Sequence, residues 1–590
     1  MQRLLYLTGT ALAGLALTAC GEPVPDETDT GTTDAATGES QTATGAMANG
    51  SDGGEWPVHE ETAPAITEAD FAYRISTLAD DRFGGRGPGS ERGEPAADWI
   101  AEEMDMMGLE PAGEDGTWFQ DVPLLQITLD EEASSFDVSV GGEPMGLELG
   151  ADAVYWSQNP EETVSLTESD VVFVGYGIVA PEYDWNDYEG VDVEGKTVVI
   201  LVNDPGFADP DSGLFNGESM TYYGRWTYKY EEAARQGAEG AIIVHQTEPA
   251  SYPWEVVFSS WTGPQSSLVP PEGYDFVDVQ GWIQLEVAQD LFEAVGLDFD
   301  ALAIAAASPG FEPVALEGAT LSAELHQSFE TNVSRNVAGR VAGDVRPDEH
   351  VLFMAHWDHI GERLNFAGED QIYNGAVDNA TGTAAMLEIA QLYANADDTP
   401  DRSVIFVAVT AEEQGLLGSA YYAENPLVPL DKTVGGFNFD GMLPVGPTED
   451  VVVIGFGASE LEDLLAEEAS EVGRYLSPDP NPEAGYFYRS DHVTLARKGV
   501  PMLYADGGSV SRTQGREFVA QIEAAYRTDA YHKPSDEWDP SWDLSGFVED
   551  ARLMYEVSRR VADSDLWPNW YEGNEFRGLR DEMMDADAQD

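Results

Sequence analysis

Residues 351–382, VLFMAHWDHIGERLNFAGEDQIYNGAVDNATG, decide how the rest of the chain is read. They open on an unbroken apolar run, Val351 to Ala355, which reads as a buried strand. The run ends in His356-Trp357-Asp358-His359, polar side chains placed where a strand would leave a sheet. Asn374-Gly375-Ala376-Val377-Asp378-Asn379-Ala380-Thr381-Gly382 then makes a turn-like entry to a helix. A histidine and an aspartate at these two places can hold a metal ion at a sheet edge, provided that later strands bring further ligands.

Working outward, strands alternate with helical patterns. A strand over 351–355 precedes a helix over 380–394, and a strand over 403–410 precedes a helix over 415–422. Strands over 435–440 and 451–455, a helix over 459–472 and a strand over 501–505 follow. Such alternation implies an α/β fold, a mostly parallel mixed sheet flanked by helices. Ligands in such folds gather at the carboxyl ends of the strands. The ends here carry His356 and Asp358, then Glu412-Glu413, then Asp440, with Asp378 at the first helix entry and His532 in a late loop. Imidazoles and carboxylates in this number fit a site for two zinc ions. Asp378, lying between the others in strand order, is the natural bridge. Of the adjacent pair Glu412 and Glu413, one can bind metal while the other takes a proton from water, which requires the backbone to turn there. Asp358, two residues past His356, can accept the second ring N–H and fix the tautomer.

Bulk properties narrow the partners. Lys and Arg number 28 against 110 Asp and Glu, a net charge of −82. That surface repels nucleic acid and anionic lipid and suits a salty medium. Cys20 is the sole cysteine, so no intramolecular disulfide can form. Residues 1–19 read as a signal peptide, and Leu17-Thr18-Ala19-Cys20 resembles the lipobox of bacterial lipoproteins. That resemblance implies lipidation at Cys20 and an extracytoplasmic place in the cell envelope, anchored to a membrane. Residues 20–61, rich in Thr, Gly, Ser and Asp, read as a disordered tether.

Residues 62–122 are expected to begin the folded part. The glycine-rich loop at 82–90 lacks phosphate-loop spacing and reads as a turn. Strand-like runs dominate 123–329, where Val193-Glu194-Gly195-Lys196-Thr197-Val198 and Ala233-Ala234-Arg235-Gln236-Gly237-Ala238 resemble the protease-associated domain, a β-rich module inserted in many peptidases. A covering or substrate-gating role and a purely structural one are both open for it. Residues 330–562 hold the metal-type motifs, and 563–590 form an acidic tail with Trp567, Trp570 and Phe576 as its anchors and only partial order expected.

AHWDHIG, YNGAVDNATG, VTAEEQGLLGS, FNFDG, SDH and YHKPSDEWD, in this order, resemble the co-catalytic zinc aminopeptidase family, metallopeptidase family 28. The resemblance implies one zinc on His356 and Asp440, another on Glu413 and His532, and Asp378 bridging both. It makes Glu412 the general base and acid, and it implies a cis peptide after Asp378. Ser490-Asp491-His492 matches a motif on the substrate side, and Tyr531 is a candidate to line the pocket; for His359, packing and function stand level. The helical HExxH pair of the other large zinc peptidase class is absent. The implied activity is removal of amino-terminal residues from peptides. Rivals are a carboxypeptidase or dipeptidase, which an arginine pocket for a terminal carboxylate would favour although no cluster of arginines lies near the motifs, a glutaminyl-cyclase-like acyltransferase on one zinc, and a metal-free receptor-like binding protein.

Overall fold

The strand Arg346–His356 lies between Arg402–Val409 and Thr433–Asn438, parallel to both. The computed structural model describes residues 59–60, 62–217, 219–269, 276–363 and 370–587. The expected signal peptide, Cys20 and the tether up to residue 58 lie outside the described residues. Among these, no helix is long and apolar enough to cross a membrane.

Met502–Asp506 joins Thr433–Asn438 in parallel, and Asp450–Ile454 runs antiparallel to it, with Tyr475–Pro478 beyond. On the other side, the end of Val314–Val341 pairs antiparallel with Arg402–Val409, and Phe119–Leu129 pairs antiparallel with Val314–Val341. The sheet is therefore mixed, parallel at its centre and antiparallel towards its margins, with helices on its faces. Register aligns the ends that matter. His356 sits opposite Val409, and Met354 opposite Asn438. Residues a few places past those ends thus emerge along one edge.

Alternation explains the unbroken apolar run. Val351, Phe353 and Ala355 enter one core with the helices Gly382–Ala394 and Ser545–Ala562. Leu352 and Met354 enter a second core with Tyr422, Leu495, Val500 and Met502. A central strand covered on both faces has no polar side, so its sequence shows no period of two. Phe353 stacks on Phe406 at 5.2 Å, Phe437 at 5.0 Å and Phe439 at 6.2 Å, an aromatic layer directly under the site.

The β-rich segment builds its own sheet. Thr163–Phe173, Thr197–Leu201, Gly240–His245 and Val279–Gln284 lie side by side in parallel, with Ala153–Trp156 antiparallel at the margin. The expected boundaries at 123 and 329 fall inside the strands Phe119–Leu129 and Val314–Val341. The second of these is 28 residues long. Its first half pairs with Thr163–Phe173 and its last residues with Arg402–Val409, so one strand belongs to both sheets.

The expected helix over 380–394 begins at Gly382, because Ala376–Thr381 forms a wider turn ahead of it. Helices Arg516–Asp529 and Ser545–Ala562 stand where no element was anticipated. In the C-terminal tail, helix Arg577–Asp587 is present and Trp570 is buried, its Nε1 donating to the Gly499 carbonyl at 3.0 Å.

Candidate metal centre

Asp378 stands at the middle of the centre. Its Oδ1 lies 3.3 Å from His356 Nε2, and its Oδ2 lies 3.3 Å from His532 Nε2. Asp440 Oδ1 approaches His356 Nε2 to 3.3 Å, and Glu413 Oε2 approaches His532 Nε2 to 3.0 Å. The candidate ligands His356, Asp378, Glu413, Asp440 and His532 therefore meet in two groups that share Asp378.

Local backbone accounts for each placement. Val409 ends its strand and Ala411 takes a left-handed φ of 54°, which swings Glu412 and Glu413 out of strand alternation. His532 also sits at a positive φ, 56°. Non-glycine residues pay for that conformation, and such strain gathers at functional sites. The Asp378–Asn379 peptide is cis, as the resemblance implied. Asn379 ties this turn to the Asp440 strand end: its Nδ2 donates to Phe439 O at 2.9 Å and its Oδ1 accepts from Gly441 N at 3.2 Å.

The donor chemistry fits zinc. Ligand atoms each about 2.0–2.1 Å from a tetrahedral zinc stand roughly 3.3 Å apart, and the separations found here are 3.0–3.3 Å. The His356 Nδ1–H donates to the backbone carbonyl of Asp358 at 3.2 Å, which leaves Nε2 with its lone pair towards the carboxylates. The expected partner was the Asp358 side chain. Its oxygen is 3.8 Å away, beyond hydrogen-bond range, and accepts the Glu412 backbone N–H at 3.1 Å instead. Asp358 thus sets the position of Glu412 more directly than the tautomer of His356.

Charge separates the two adjacent glutamates. Burial and the carboxylates of Glu413, Asp440 and Asp491 push Glu412 well above the usual range, against His356. For Glu413, burial is outweighed by His532 and His359, and its carboxyl drops to about 2. Asp378 is held well below its ordinary value by His356 and His532 despite burial. Burial lifts Asp358 to about 8.

Several positioning residues were invisible in the sequence. Asp536 accepts from Val377 N at 2.9 Å and Asp378 N at 3.1 Å, gripping the bridging turn. Arg86, from the loop read as a turn, is fully buried and donates to the carbonyls of Trp357 at 2.7 Å and Gly375 at 2.7 Å. It clamps the His356 and Asp378 segments together. His359 lies beside these residues: its Nδ1 is 2.5 Å from Glu413 Oε1, and it joins Asp378 and Glu413 as a group of possible metal donors. Its position directly after Asp358 was the only available signal.

The substrate-side expectations divide. Tyr531 and Ser490 line a cleft of about 2700 Å³ that opens over Asp378, Glu412, Glu413 and Asp440. Asp491 and His492 do not reach it. Both are buried, and the His492 ring packs against Phe487 at 4.5 Å and Tyr504 at 5.2 Å. His492 opens the short helix His492–Ala496, with Asp491 as its N-cap. Their neighbour Arg489 lines the cleft instead.

These features define a carboxylate–imidazole metal centre at the carboxyl edge of an α/β sheet. Residues 336–555, which contain every candidate ligand, match the model of Peptidase family M28. Aminopeptidase NAALADL1 of Mus musculus is 35% identical over 139 residues, 22% of this chain and 17% of that protein. A glutamate carboxypeptidase 2 homolog of Caenorhabditis elegans is 32% identical over 128 residues, 21% of this chain and 14% of that protein. The matches thus span less than a fifth of either relative. Among solved structures, an aminopeptidase from Aneurinibacillus sp. strain AM-1 aligns with a TM-score of 0.48 at 19% identity, covering 85% of this chain and 95% of that one.

Proposed function

We propose that the protein is a zinc-dependent exopeptidase that removes amino-terminal residues from peptides with two zinc ions. The observation that carries this is the placement of Asp378, whose two oxygens each face a different histidine at 3.3 Å. A glutaminyl-cyclase-like site on one zinc would leave one of the two donor groups that share Asp378 without an ion. Zinc in such a centre supplies Lewis acidity towards the scissile carbonyl and acidifies water. His356 and Asp440 would hold one ion, Glu413 and His532 the other, and Asp378 both. Glu412, outside both donor groups, takes the proton from the attacking water and delivers it to the leaving amine. Asp358 fixes its backbone through the 3.1 Å bond to the Glu412 N–H. The cleft encloses the reacting groups between the metal-bearing edge and the β-rich segment.

Release of free amino acids from a peptide panel tests this, with and without a chelator, on wild type and Glu412→Gln. Wild type should release amino-terminal residues, fail on amino-blocked peptides and stop with chelator; Glu412→Gln should lose about 10²- to 10⁴-fold in kcat. Equal turnover under all conditions would refute the mechanism. The reading also places the enzyme outside the cytoplasm, on a lipid at Cys20, which the Leu-Thr-Ala-Cys sequence supports. Mass spectrometry of the mature amino terminus checks that placement.

A further inference from the structure

Trp570 and Phe576, two apolar anchors of the acidic tail, are buried, and their rings meet at 5.2 Å. The Trp570 indole N–H donates to Gly499 O at 3.0 Å, Tyr571 N donates to Ala458 O at 2.9 Å, and Glu460 N donates to Asn569 O at 2.9 Å. A polar, acidic chain end without such ties would stay in solvent. This one is pinned, and it is pinned against one particular piece of the cleft.

That piece is the wall 482–490. Pro482, Glu483, Ala484, Tyr486, Arg489 and Ser490 line the cleft, whereas Phe487 and Tyr488 are buried behind it. Phe487 stacks with Phe576 at 6.4 Å, and the Tyr488 hydroxyl donates to Glu575 Oε1 at 2.7 Å. A hydroxyl bond to a carboxylate is charge-assisted and stronger than a neutral one. The same wall meets the β-rich segment. Met220 N donates to Pro482 O at 3.2 Å, Ser251 Oγ donates to Glu483 O at 3.3 Å, and the Tyr222 ring lies 6.3 Å from that of Tyr488. A Cβ on Gly485 would come within 2.6 Å of Met220 Sδ, so the two surfaces approach closely there. The wall itself has only the short turns Pro482–Ala484 and Tyr486–Tyr488, so its order comes from what lies behind and beside it. The metal centre is held separately: its candidate ligands stand on other segments, and Asp358 holds the Glu412 N–H.

We infer that residues 569–576 form a clasp that holds the 482–490 wall in the shape a peptide meets, with Glu575 as the positioning residue. The inference rests on the exopeptidase reading for what the wall binds, and it goes beyond that reading by giving the carboxyl-terminal segment a part in substrate affinity. Glu575 touches no substrate; it acts through Tyr488. A wall ordered in advance spares a peptide the cost of ordering it, so the clasp acts on KM and leaves the chemical step alone.

Kinetics on leucyl-glycyl-glycine and amide hydrogen exchange test this on the full chain, for wild type, Glu575→Ala, Glu575→Gln, Tyr488→Phe and the variant carrying both Glu575→Ala and Tyr488→Phe. Glu575→Ala and Tyr488→Phe should each raise KM about 3- to 10-fold and leave kcat and zinc affinity within about twofold of wild type. The double variant should be no worse than the singles, because each removes the same bond. Glu575→Gln keeps an oxygen for the Tyr488 hydroxyl and should restore most of the loss. The Tyr488 and Arg489 amides, which donate to Gly485 O and Tyr486 O, should exchange faster in Glu575→Ala. A role in stability alone would lower the melting temperature of Glu575→Ala and leave KM and exchange as they are; that result overturns the clasp, as does a Glu575→Gln no better than Glu575→Ala. If wild type cleaves no peptide, the exopeptidase reading falls and exchange alone decides the clasp, faster exchange upholding it and equal exchange refuting it.

Discussion

Asp536 touches neither substrate nor, by its geometry, a metal ion, yet the centre depends on it. Its carboxylate accepts the N–H groups of Val377 and Asp378, and its backbone carbonyl accepts from Ala376 N at 3.0 Å. Removing it leaves those amides without partners and frees the bridging turn to wander. Asp536→Ala should therefore weaken zinc binding by about 10- to 100-fold, the usual effect of losing a group that orients ligands. Competition with a chromophoric chelator reads this directly; unchanged affinity would show that the turn holds itself. His359 is tested in the same assay. If its 2.5 Å approach to Glu413 orients that side chain, His359→Ala should lower zinc affinity. The candidate ligands could be singled out in the sequence because metal chemistry restricts residue type and the strand ends fix position. Asp536 and Arg86 could not, because what they do depends on which loops lie against them in space.

Among the elements, the short helix His492–Ala496 shows how a motif can belong to a site without facing it. His492 is held among apolar neighbours, and burial lowers its ring to about 3 from an ordinary 6.5. Between those values the unfolded chain binds a proton that the folded chain refuses. Stability should thus fall as pH drops through about 6.5, by about 1.4 kcal/mol for each further pH unit from this residue. His492→Leu removes the loss, so urea midpoints of variant and wild type should diverge in the variant's favour towards about pH 4. Parallel pH profiles would place the acid sensitivity elsewhere. The central strand offers a second measurement. Phe353 is fully buried and stacked on three other phenylalanines, so Phe353→Ala should cost about 3–5 kcal/mol. Strand and helix order after residue 346 was legible because buried parallel strands are short apolar runs with polar ends. The helices Arg516–Asp529 and Ser545–Ala562 were less so, since charged residues interrupt their apolar stripes.

For the whole molecule the dominant quantity is the charge of −82. Carboxylates at this density repel one another, and dissolved ions shorten the range of that repulsion. The melting temperature should accordingly rise with sodium chloride between about 0.05 M and 1 M, where the screening length falls from above 10 Å to about 3 Å. A flat or falling curve would mean that the acids are compensated locally. The extent of the β-rich segment was legible from its strand-like runs, but its margins were not. A boundary drawn from composition expects a linker, and here the chain crosses from one sheet to the other without leaving a strand.

The 28-residue strand Val314–Val341 has a mechanical corollary. A ribbon woven into two fabrics at once offers no hinge, so the β-rich lobe cannot swing open like a door on a soft peptide. Neither lobe can be lifted out as an independent cassette without tearing the other's weave. Any breathing of the entrance has to come from twisting that ribbon along its length.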